Sequence, residues 1–337
     1  MKRREFVQQV GFASAGVLIG APAVRAQSAT ILKLSHTDQP TGARQQASEL
    51  FAQKVQQYTQ GRYSVQIYPA GQLADDAKSV EQLKLGGIDF AITGIGSYAN
   101  HILLLNLTSL PYLLDTYEQG WKLYDESKWM QAQFAKGPQY GFRFMSTFEA
   151  GFRSMSTKRP LVTPADAKGM KLRTYPNEMI RWILEAMGFG IQVMPLPEVY
   201  LAIQQGTVSG QENPIDTIYV NKFYEVAPYI TLTQHMYSPI PLTMAERAWQ
   251  RLSPSDREAV RKAAQEAADW SRKKIVANDE IELKDMASKG AKISRPDLGP
   301  WHDAVKPVYV QARAKYGAEM DALLADAEAV RKALPAG

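Results

Sequence analysis

The sequence contains no cysteine, which excludes disulfide bonds, thiolate metal sites and cysteine nucleophiles. Its four histidines are far apart and form neither a His-Glu-x-x-His motif nor a His-x-His pair. The glycine-rich motifs that bind dinucleotides or phosphates are missing, as is the Gly-x-Ser-x-Gly motif of serine hydrolases, and the carboxylates are scattered. We therefore expect no catalytic residue, no metal site and no cofactor, and predict that the protein is not an enzyme.

Uninterrupted apolar runs of about 18 residues, which a membrane-spanning helix needs, are also missing. Residues 1–26 have a basic start, an uncharged apolar run from Val10 to Val24 and a small-residue exit at Ala26, which is the pattern of a cleaved export signal. The pair Arg3-Arg4 is similar to that of a twin-arginine signal, and a general secretory signal stays an alternative. We expect a soluble, exported protein that is cleaved near Ala26.

Chain length and net charge further limit the kinds of protein that this sequence can encode. At 337 residues the chain exceeds the length at which single cores stop growing, so two domains are expected. The export segment carries four basic residues and one acidic residue, so its removal lowers the formal net charge from +5 to +2. This small charge gives no electrostatic case for binding to nucleic acid.

The first part of the mature chain alternates strand and helix patterns. Residues 31–36 and "YSVQIYP" resemble short strands, and a helix with 3.6-residue apolar spacing lies between them, from Ala43 to Tyr58. A second helix, from about Asp75 to Leu85, ends at two glycines and leads into the apolar strand "IDFAIT". This order of elements predicts an α/β fold with a mostly parallel sheet.

The alternation resumes near residue 140. Its segments are the strands "YGFRFMST", "KLRTY", "IQVMP" and "VSGQ" and the helices 177–187 and "PEVYLAIQQ". A second α/β unit is therefore expected to start near residue 150. Ligands of such sheets lie at the carboxyl ends of strands, and with two units they lie between them.

One predicted helix is unusually long. It begins with Ser253 as N-cap, Pro254 at the first helical position and Asp256 two residues later, and no proline or glycine follows until Gly290. At 1.5 Å per residue it spans on the order of 50 Å. A helix that bridges two domains explains this length, and a kinked pair of helices is the alternative.

Two arginines are candidates for binding an anion. Arg173 lies in "KLRTYP" and Arg153 in "EAGFRSMS", and both segments have strand-like alternation. A capped turn connects these segments, so they are expected to be antiparallel or adjacent, with both guanidinium groups facing one cleft. Arginine matches planar carboxylates because its rigid fork donates two parallel charged hydrogen bonds. The alternatives are a solvated edge-strand charge for Arg173 and a surface ion pair with Glu149 or Asp166 for Arg153.

Asn213 is a third candidate. It precedes Pro214, which favours an extended conformation at the end of a strand, and its amide offers both a donor and an acceptor. The same residues are also typical of a helix start with Asn213 as N-cap.

At these residues the sequence resembles a known family, the extracytoplasmic solute receptors of tripartite ATP-independent periplasmic (TRAP) transporters, of the dicarboxylate- and sialic-acid-receptor type. The matching segments occur in order over residues 30–310. They are "YPAGQLADD", "LKLGGIDFA", "LPYLLDTYE", "GFRSMSTKRPLVTPADAKGMKLRT", "MPLPEVYLAIQQGTVSGQENP" and "KFYEVAPYITLTQH".

The resemblance implies a two-domain periplasmic-binding-protein-like α/β fold with hinge strands and a long domain-bridging helix. Domain I would comprise 27–150 plus about 238–278, and domain II 151–237 plus about 279–337. A periplasmic receptor of this type binds a small organic acid and delivers it to the membrane subunits of the transporter. A ligand-binding sensor subunit and an enzyme on the same scaffold are the alternatives.

The resemblance also implies roles for the three candidates. Arg173 would pair with the carboxylate of the ligand, Arg153 would be a second contact, and Asn213 would orient the carboxylate. Sialic-acid receptors have a glutamate and an arginine where this chain has Gly94 and Ser97, so sialic acid is not expected.

Leu196 replaces an aromatic residue that often lines the pocket of such receptors. The remaining candidates near the cleft are Phe148, Glu149, Tyr175 and Tyr237, and the aromatic ones are equally plausible as packing residues.

Overall fold

The structure is a computed structural model that describes residues 29–335. The predicted export segment, 1–26, lies outside the described residues. The strands are β1 Thr30–His36, β2 Tyr63–Tyr68, β3 Phe90–Ile92, β4 Phe142–Phe148, β5 Phe152–Thr157, β6 Lys171–Thr174, β7 Gly190–Val193, β8 Gly210–Asn213, β9 Tyr229–Tyr237, β10 Ile240–Ala245 and β11 Lys292–Ser294.

The α-helices are α1 Ala43–Tyr58, α2 Asp76–Leu85, α3 Tyr117–Glu126, α4 Lys128–Phe134, α5 Glu178–Ala186, α6 Val199–Gln204, α7 Ile215–Val220, α8 Phe223–Val226, α9 Glu246–Arg251, α10 Pro254–Ser288, α11 Gly299–Tyr316 and α12 Ala318–Ala333. Among residues 29–335, no helix is both long and apolar enough to cross a membrane.

The strands form two mixed sheets. In the first, with order β2-β1-β3-β10-β4, β1 is parallel to β2 and β3, whereas β10 is antiparallel to β3 and β4. In the second, with order β11-β9-β5-β8-β6-β7, β6 is parallel to β7 and β8, whereas β5 is antiparallel to β8 and β9. The βαβαβ start is therefore confirmed, and antiparallel strands complete each sheet.

Helices cover both sheets. We call the first sheet with α1 and α2 the first lobe, and the second sheet with α5, α6 and α7 the second lobe. Two hinge segments between strands connect the lobes, 149–151 between β4 and β5 and 238–239 between β9 and β10. The two-domain architecture with connecting strands is thus confirmed, while the exact domain boundaries stay a prediction.

Helix α10 is one continuous helix of 35 residues, not a kinked pair. Ser253 is its N-cap, and the hydroxyl accepts a hydrogen bond from the backbone N of Asp256 at 3.1 Å. Small residues on its buried face, Ala263, Ala264 and Ala267, allow close packing against β4. Further along, α10 packs against α7 and β11, so this helix bridges the two lobes as expected.

The C-terminal helices pack back onto the body of the protein. Helix α11 lies against α5, and α12 lies against α3 and α4. The indole nitrogen of Trp129 donates to Glu319 at 3.1 Å, which ties α12 to α4. The last helix therefore contributes to the fold and lies away from the cleft between the sheets.

Candidate functional site

Three neighbouring strands of the second sheet carry Arg153, Arg173 and Asn213. Strand β8 lies between β5 and β6, so the two arginine segments run antiparallel to each other, as one of the two expected arrangements, but they are separated by one strand and are not adjacent. Asn213 pairs with Ser154, the neighbour of Arg153, and Gln211 pairs with Arg173. Pairing between segments distant in sequence therefore brings the three side chains together.

These side chains line a cavity between the two lobes. The volume of this cavity that is open to the centre of a water molecule is about 40 Å³, which is room for a few water molecules. Of the sequence-predicted residues, Gly94 and Ser97 line it from the first lobe, and Arg153, Arg173, Tyr175, Leu196 and Asn213 line it from the second. Seven of the ten candidates therefore meet at one place.

Arg173 is a buried cation. Only 2% of its surface is exposed, and β6 lies inside the sheet between β8 and β7, so the interpretation as a solvated edge-strand charge is wrong. Its Nε and Nη2 both donate to the carbonyl oxygen of Met194, at 2.9 and 2.7 Å. Burial lowers the pKa of Arg173 to about 10, and the positive charge of Arg153 adds to this effect while Glu212 opposes it.

Among residues 29–335, no carboxylate lies within 4.0 Å of the Arg173 guanidinium. Burying a cation without a charged partner costs free energy. Arg173 can therefore stabilise an anion that enters the cavity.

Arg153, in contrast, already has an acidic partner. Its Nε donates to Glu212, and its Nη2 donates to the Glu212 carboxylate at 2.9 Å and to the backbone oxygen of the same residue at 2.7 Å. The remaining nitrogen, Nη1, donates to the Ser238 hydroxyl at 3.3 Å. Arg153 is buried, so the expected alternative of a surface ion pair is wrong.

Glu212 is the anion at the centre of this group, with 0% of its surface exposed. Burial alone would raise its pKa, but the charge of Arg153, the His235 ring 3.5 Å away and the hydrogen bonds from Arg153 lower it to about 2. Thr174 also donates to it, at 2.9 Å. Glu212 therefore stays ionised and compensates the charge of Arg153.

Asn213 is held by its neighbours at the end of β8. Its Oδ1 accepts from Arg153 Nη2 at 3.1 Å, and its Nδ2 donates to Gln211. Helix α7 starts at Ile215 with Pro214 at the N-cap position, so Asn213 is not the N-cap of that helix.

Three predicted residues, Phe148, Glu149 and Tyr237, are buried near the hinge segments and do not line the cavity. Glu149 accepts from Trp121 Nε1 and from the Tyr237 hydroxyl, both at 2.7 Å, and from the backbone N of Gly151 at 2.8 Å. Burial raises the pKa of Glu149, and these hydrogen bonds oppose the effect. These contacts therefore link the hinge segment 149–151 to the end of β9.

Several cavity-lining residues, above all Arg44 and Asp76, were not predicted from the sequence. Arg44 Nε lies 3.0 Å from Asp38, and its Nη1 lies 4.0 Å from Asp76. Arg44 and Asp76 occupy the first turns of α1 and α2, which follow the carboxyl ends of parallel strands β1 and β2. That position is where α/β sheets bind ligands, and it is the signal that could have found them.

A larger groove, of about 530 Å³, lies beside β4 and contains none of the predicted residues. Its charged groups already have partners: Arg143 lies 3.0 Å from Glu246, and Asp125 lies 2.6 Å from Arg272. The smaller cavity at Arg173 is therefore the better candidate for recognising a charged ligand.

Comparisons with known proteins identify the family to which the chain belongs. Residues 34–315 match the family model described as bacterial extracellular solute-binding protein, family 7. The sialic acid-binding periplasmic protein SiaP of Vibrio cholerae is 28% identical over 302 residues, which cover 89% of this chain and 94% of that protein.

Two solved structures are similar over almost their whole length. A TRAP periplasmic solute-binding protein from Polaromonas sp. JS666, bound to D-erythronate, has a TM-score of 0.84 and 31% identity, covering 88% of this chain and 98% of that one. Another from Sulfurospirillum deleyianum, with bound succinate, has a TM-score of 0.83 and 29% identity, covering 89% and 98%.

Proposed function

Because the chain belongs to the bacterial extracellular solute-binding proteins of family 7, we propose that it is the periplasmic receptor of a TRAP transporter and binds a small organic acid. It delivers this acid to the membrane subunits of the transporter. The observation that carries the proposal is Arg173, a buried guanidinium at a cavity with no carboxylate within 4.0 Å among the described residues. Such a group favours a ligand that supplies the missing carboxylate.

The charges around the cavity narrow the ligand to a hydroxy acid with one carboxylate. Arg153 is paired with Glu212. Arg44 is paired with Asp38, at 3.0 Å, and lies farther from Asp76, at 4.0 Å. Arg173 is thus available for a carboxylate, whereas Asp76 offers an acceptor for a hydroxyl group and repels a second carboxylate.

The ligand-bound relatives support this class. D-erythronate, bound by the Polaromonas protein, has one carboxylate and several hydroxyl groups. A short acid of this kind also suits a cavity with room for a few water molecules. We propose that Gly94 and Ser97, which carry no charge, make the site unsuitable for sialic acid.

Two further parts of the proposal, the fate of the acid and the removal of the export segment, rest on membership of this family. The receptor releases its acid chemically unchanged, and residues 1–26 are removed on export, with cleavage near Ala26. The comparisons name transport receptors and lend no support to the alternative of a sensor subunit.

A thermal-shift screen tests the proposal. D-erythronate should stabilise the protein, by roughly 2.7 kcal/mol at about 100 times its dissociation constant, since it binds the folded state alone. Erythritol, which has the hydroxyl groups but no carboxylate, is the matched control and should have no effect. Failure of D-erythronate and of a panel of related hydroxy acids to shift the transition would contradict the assigned ligand class.

A further inference from the structure

A buried carboxyl group connects the two lobes at the edge of the cavity. Asp216 lies in the first turn of α7, with 4% of its surface exposed. Its Oδ1 accepts a hydrogen bond from the backbone N of Ala43, the first residue of α1, at 3.3 Å. Because α1 belongs to the first lobe and α7 to the second, this hydrogen bond exists only while the lobes are together.

The glycine before α1 permits this contact. A Cβ on Gly42 would lie 3.2 Å from Val220 and 3.4 Å from Asp216 Oδ2, which is tight for a side chain. The residue after Ala43 is Arg44, which lines the cavity. Asp216 therefore fixes the end of α1 that carries a cavity-lining arginine.

A second carboxyl group faces Asp216 from the bridging helix. Glu282 of α10 has 5% of its surface exposed and lies within hydrogen-bonding reach of Asp216. Its Oε1 accepts from Asn278 at 3.2 Å. Its Oε2 is buried, and no donor among residues 29–335 reaches it. Two carboxyl groups can form a hydrogen bond only when one of them carries a proton.

Other charged groups surround this pair. Asp38 and Arg44 face Asp216 from the first lobe, and Asp279 faces Glu282 from the same helix. Burial raises the pKa of both Asp216 and Glu282, and the nearby carboxylates add to this effect. Ala43 N–H and Arg44 oppose the shift at Asp216, but only in part.

We propose that Asp216 is a positioning residue for closure of the cleft, and that closure takes up one proton, which Asp216 and Glu282 share. The choice of ligand in this inference rests on the proposed function. When the lobes separate, Ala43 leaves Asp216, the carboxyl group returns to water, and the proton is released to solvent. Closure then recovers the proton from solvent, so the proton balance of the cycle is zero.

The direction of the pH effect follows from proton uptake. The shared proton raises the pKa of the pair in the closed state above that of an exposed carboxyl group, about 4. Ligand affinity is therefore highest below about pH 4, and it falls as the pH rises from there towards the pKa of the pair in the closed state. One proton taken up corresponds to about a tenfold loss of affinity per pH unit within this window.

Isothermal titration calorimetry with D-erythronate tests the inference, between about pH 5 and about pH 8 and in two buffers that differ in ionisation enthalpy. The wild-type protein should take up close to one proton. In Asp216→Asn and Glu282→Gln the amide donates to the remaining carboxylate without a shared proton, so the uptake and the pH dependence should both disappear. Glu280→Gln, an exposed residue of the same helix, is the control and should behave like the wild type.

A ligand-free measurement separates this inference from the proposed function. In a Gln39→Cys/Asn221→Cys variant a bifunctional thiol reagent can hold the lobes together without ligand, because these two side chains meet across the cleft and the chain has no other cysteine. Infrared spectra of this cross-linked protein at neutral pH should contain the C=O band of a protonated carboxyl group. The protein without the cross-link and the cross-linked amide variants should lack the band. If D-erythronate does not bind the wild type at any pH, the ligand assignment fails, and the infrared band decides the inference. Absence of the band, or the same calorimetric pH profile in the wild type and both amide variants, would overturn it.

Discussion

The guanidinium of Arg153 and the carboxylate of Glu212 form a buried ion pair on adjacent strands, β5 and β8. Because this pair is neutral as a whole, Arg153 can orient a ligand without adding a net charge to the cavity. Arg173, on the other side of β8, then supplies the positive charge that a carboxylate needs. The two arginines therefore have different expected roles, and substitutions can tell them apart.

We predict that Arg173→Ala weakens binding of D-erythronate by at least about thirtyfold, since it leaves a buried anion without its partner, at roughly 2–5 kcal/mol. Arg173→Lys should weaken binding as well, because lysine keeps the charge but loses the fork. Arg159→Ala is the control, because Arg159 is exposed and donates only to two backbone oxygens. Similar, small changes in all three dissociation constants, measured by calorimetry, would contradict this role.

The part of the site that lies on regular strands was predictable. Alternation within "KLRTYP" identifies Arg173 as a strand residue, and Pro214 identifies Asn213 as a strand end. Local sequence pattern also predicts α1, α2 and α10, together with the glycine that ends α2 and the Ser253 N-cap of α10. These features depend on neighbouring residues, which the sequence displays directly.

Features that depend on distant pairing were not predictable. Strands β9 and β10 were not identified. All of β10 is buried, so it lacks the alternation of a half-exposed strand, and the buried positions of β9 do not alternate regularly. Glu212 was missed because its partner, Arg153, is 59 residues away. Glu149 and Tyr237 hydrogen-bond to each other at the hinge segments instead of lining the cavity, and this contact joins residues that are 88 positions apart.

The depressed pKa of Glu212 predicts a loss of stability in acid. Its folded-state pKa of about 2 lies below the unfolded value of about 4.3, so its contribution is complete above the unfolded value and disappears as the pH falls towards 2. The difference corresponds to roughly 3 kcal/mol. Urea denaturation at about pH 5 and about pH 2.5 should show this loss in the wild type.

Glu212→Gln is the matched variant for that measurement. At neutral pH it should be less stable by about 3–5 kcal/mol, because Arg153 becomes a buried charge without a partner. It should also lose less stability on acidification than the wild type does. An equal loss in both proteins would assign the acid sensitivity to other carboxyl groups.

Asp76 should set the preference for a single carboxylate. We predict that Asp76→Asn improves the affinity for succinate relative to D-erythronate by about tenfold, since the repulsion of a second carboxylate is removed. Glu81→Gln, a half-exposed acidic residue on the same helix, is the control and should leave the ratio unchanged. Competition calorimetry with both acids measures the ratio. An unchanged ratio in Asp76→Asn would mean that Asp76 does not face the distal end of the ligand.

Ligand binding should close the two lobes. In the structure the lobes meet through side chains on both sides of the cavity: Asn177 donates to Asn106 at 3.0 Å, and Gln39 donates to Asn221 at 3.5 Å. A cavity this small buries a ligand only when both lobes reach it, so the open form should exchange ligand with solvent. Small-angle scattering of the wild type should show a smaller radius of gyration with saturating D-erythronate than without it. Arg173→Ala at the same ligand concentration should show no contraction, because its site stays empty. A radius that does not change in the wild type at saturation, with binding verified by calorimetry, would contradict closure by the ligand.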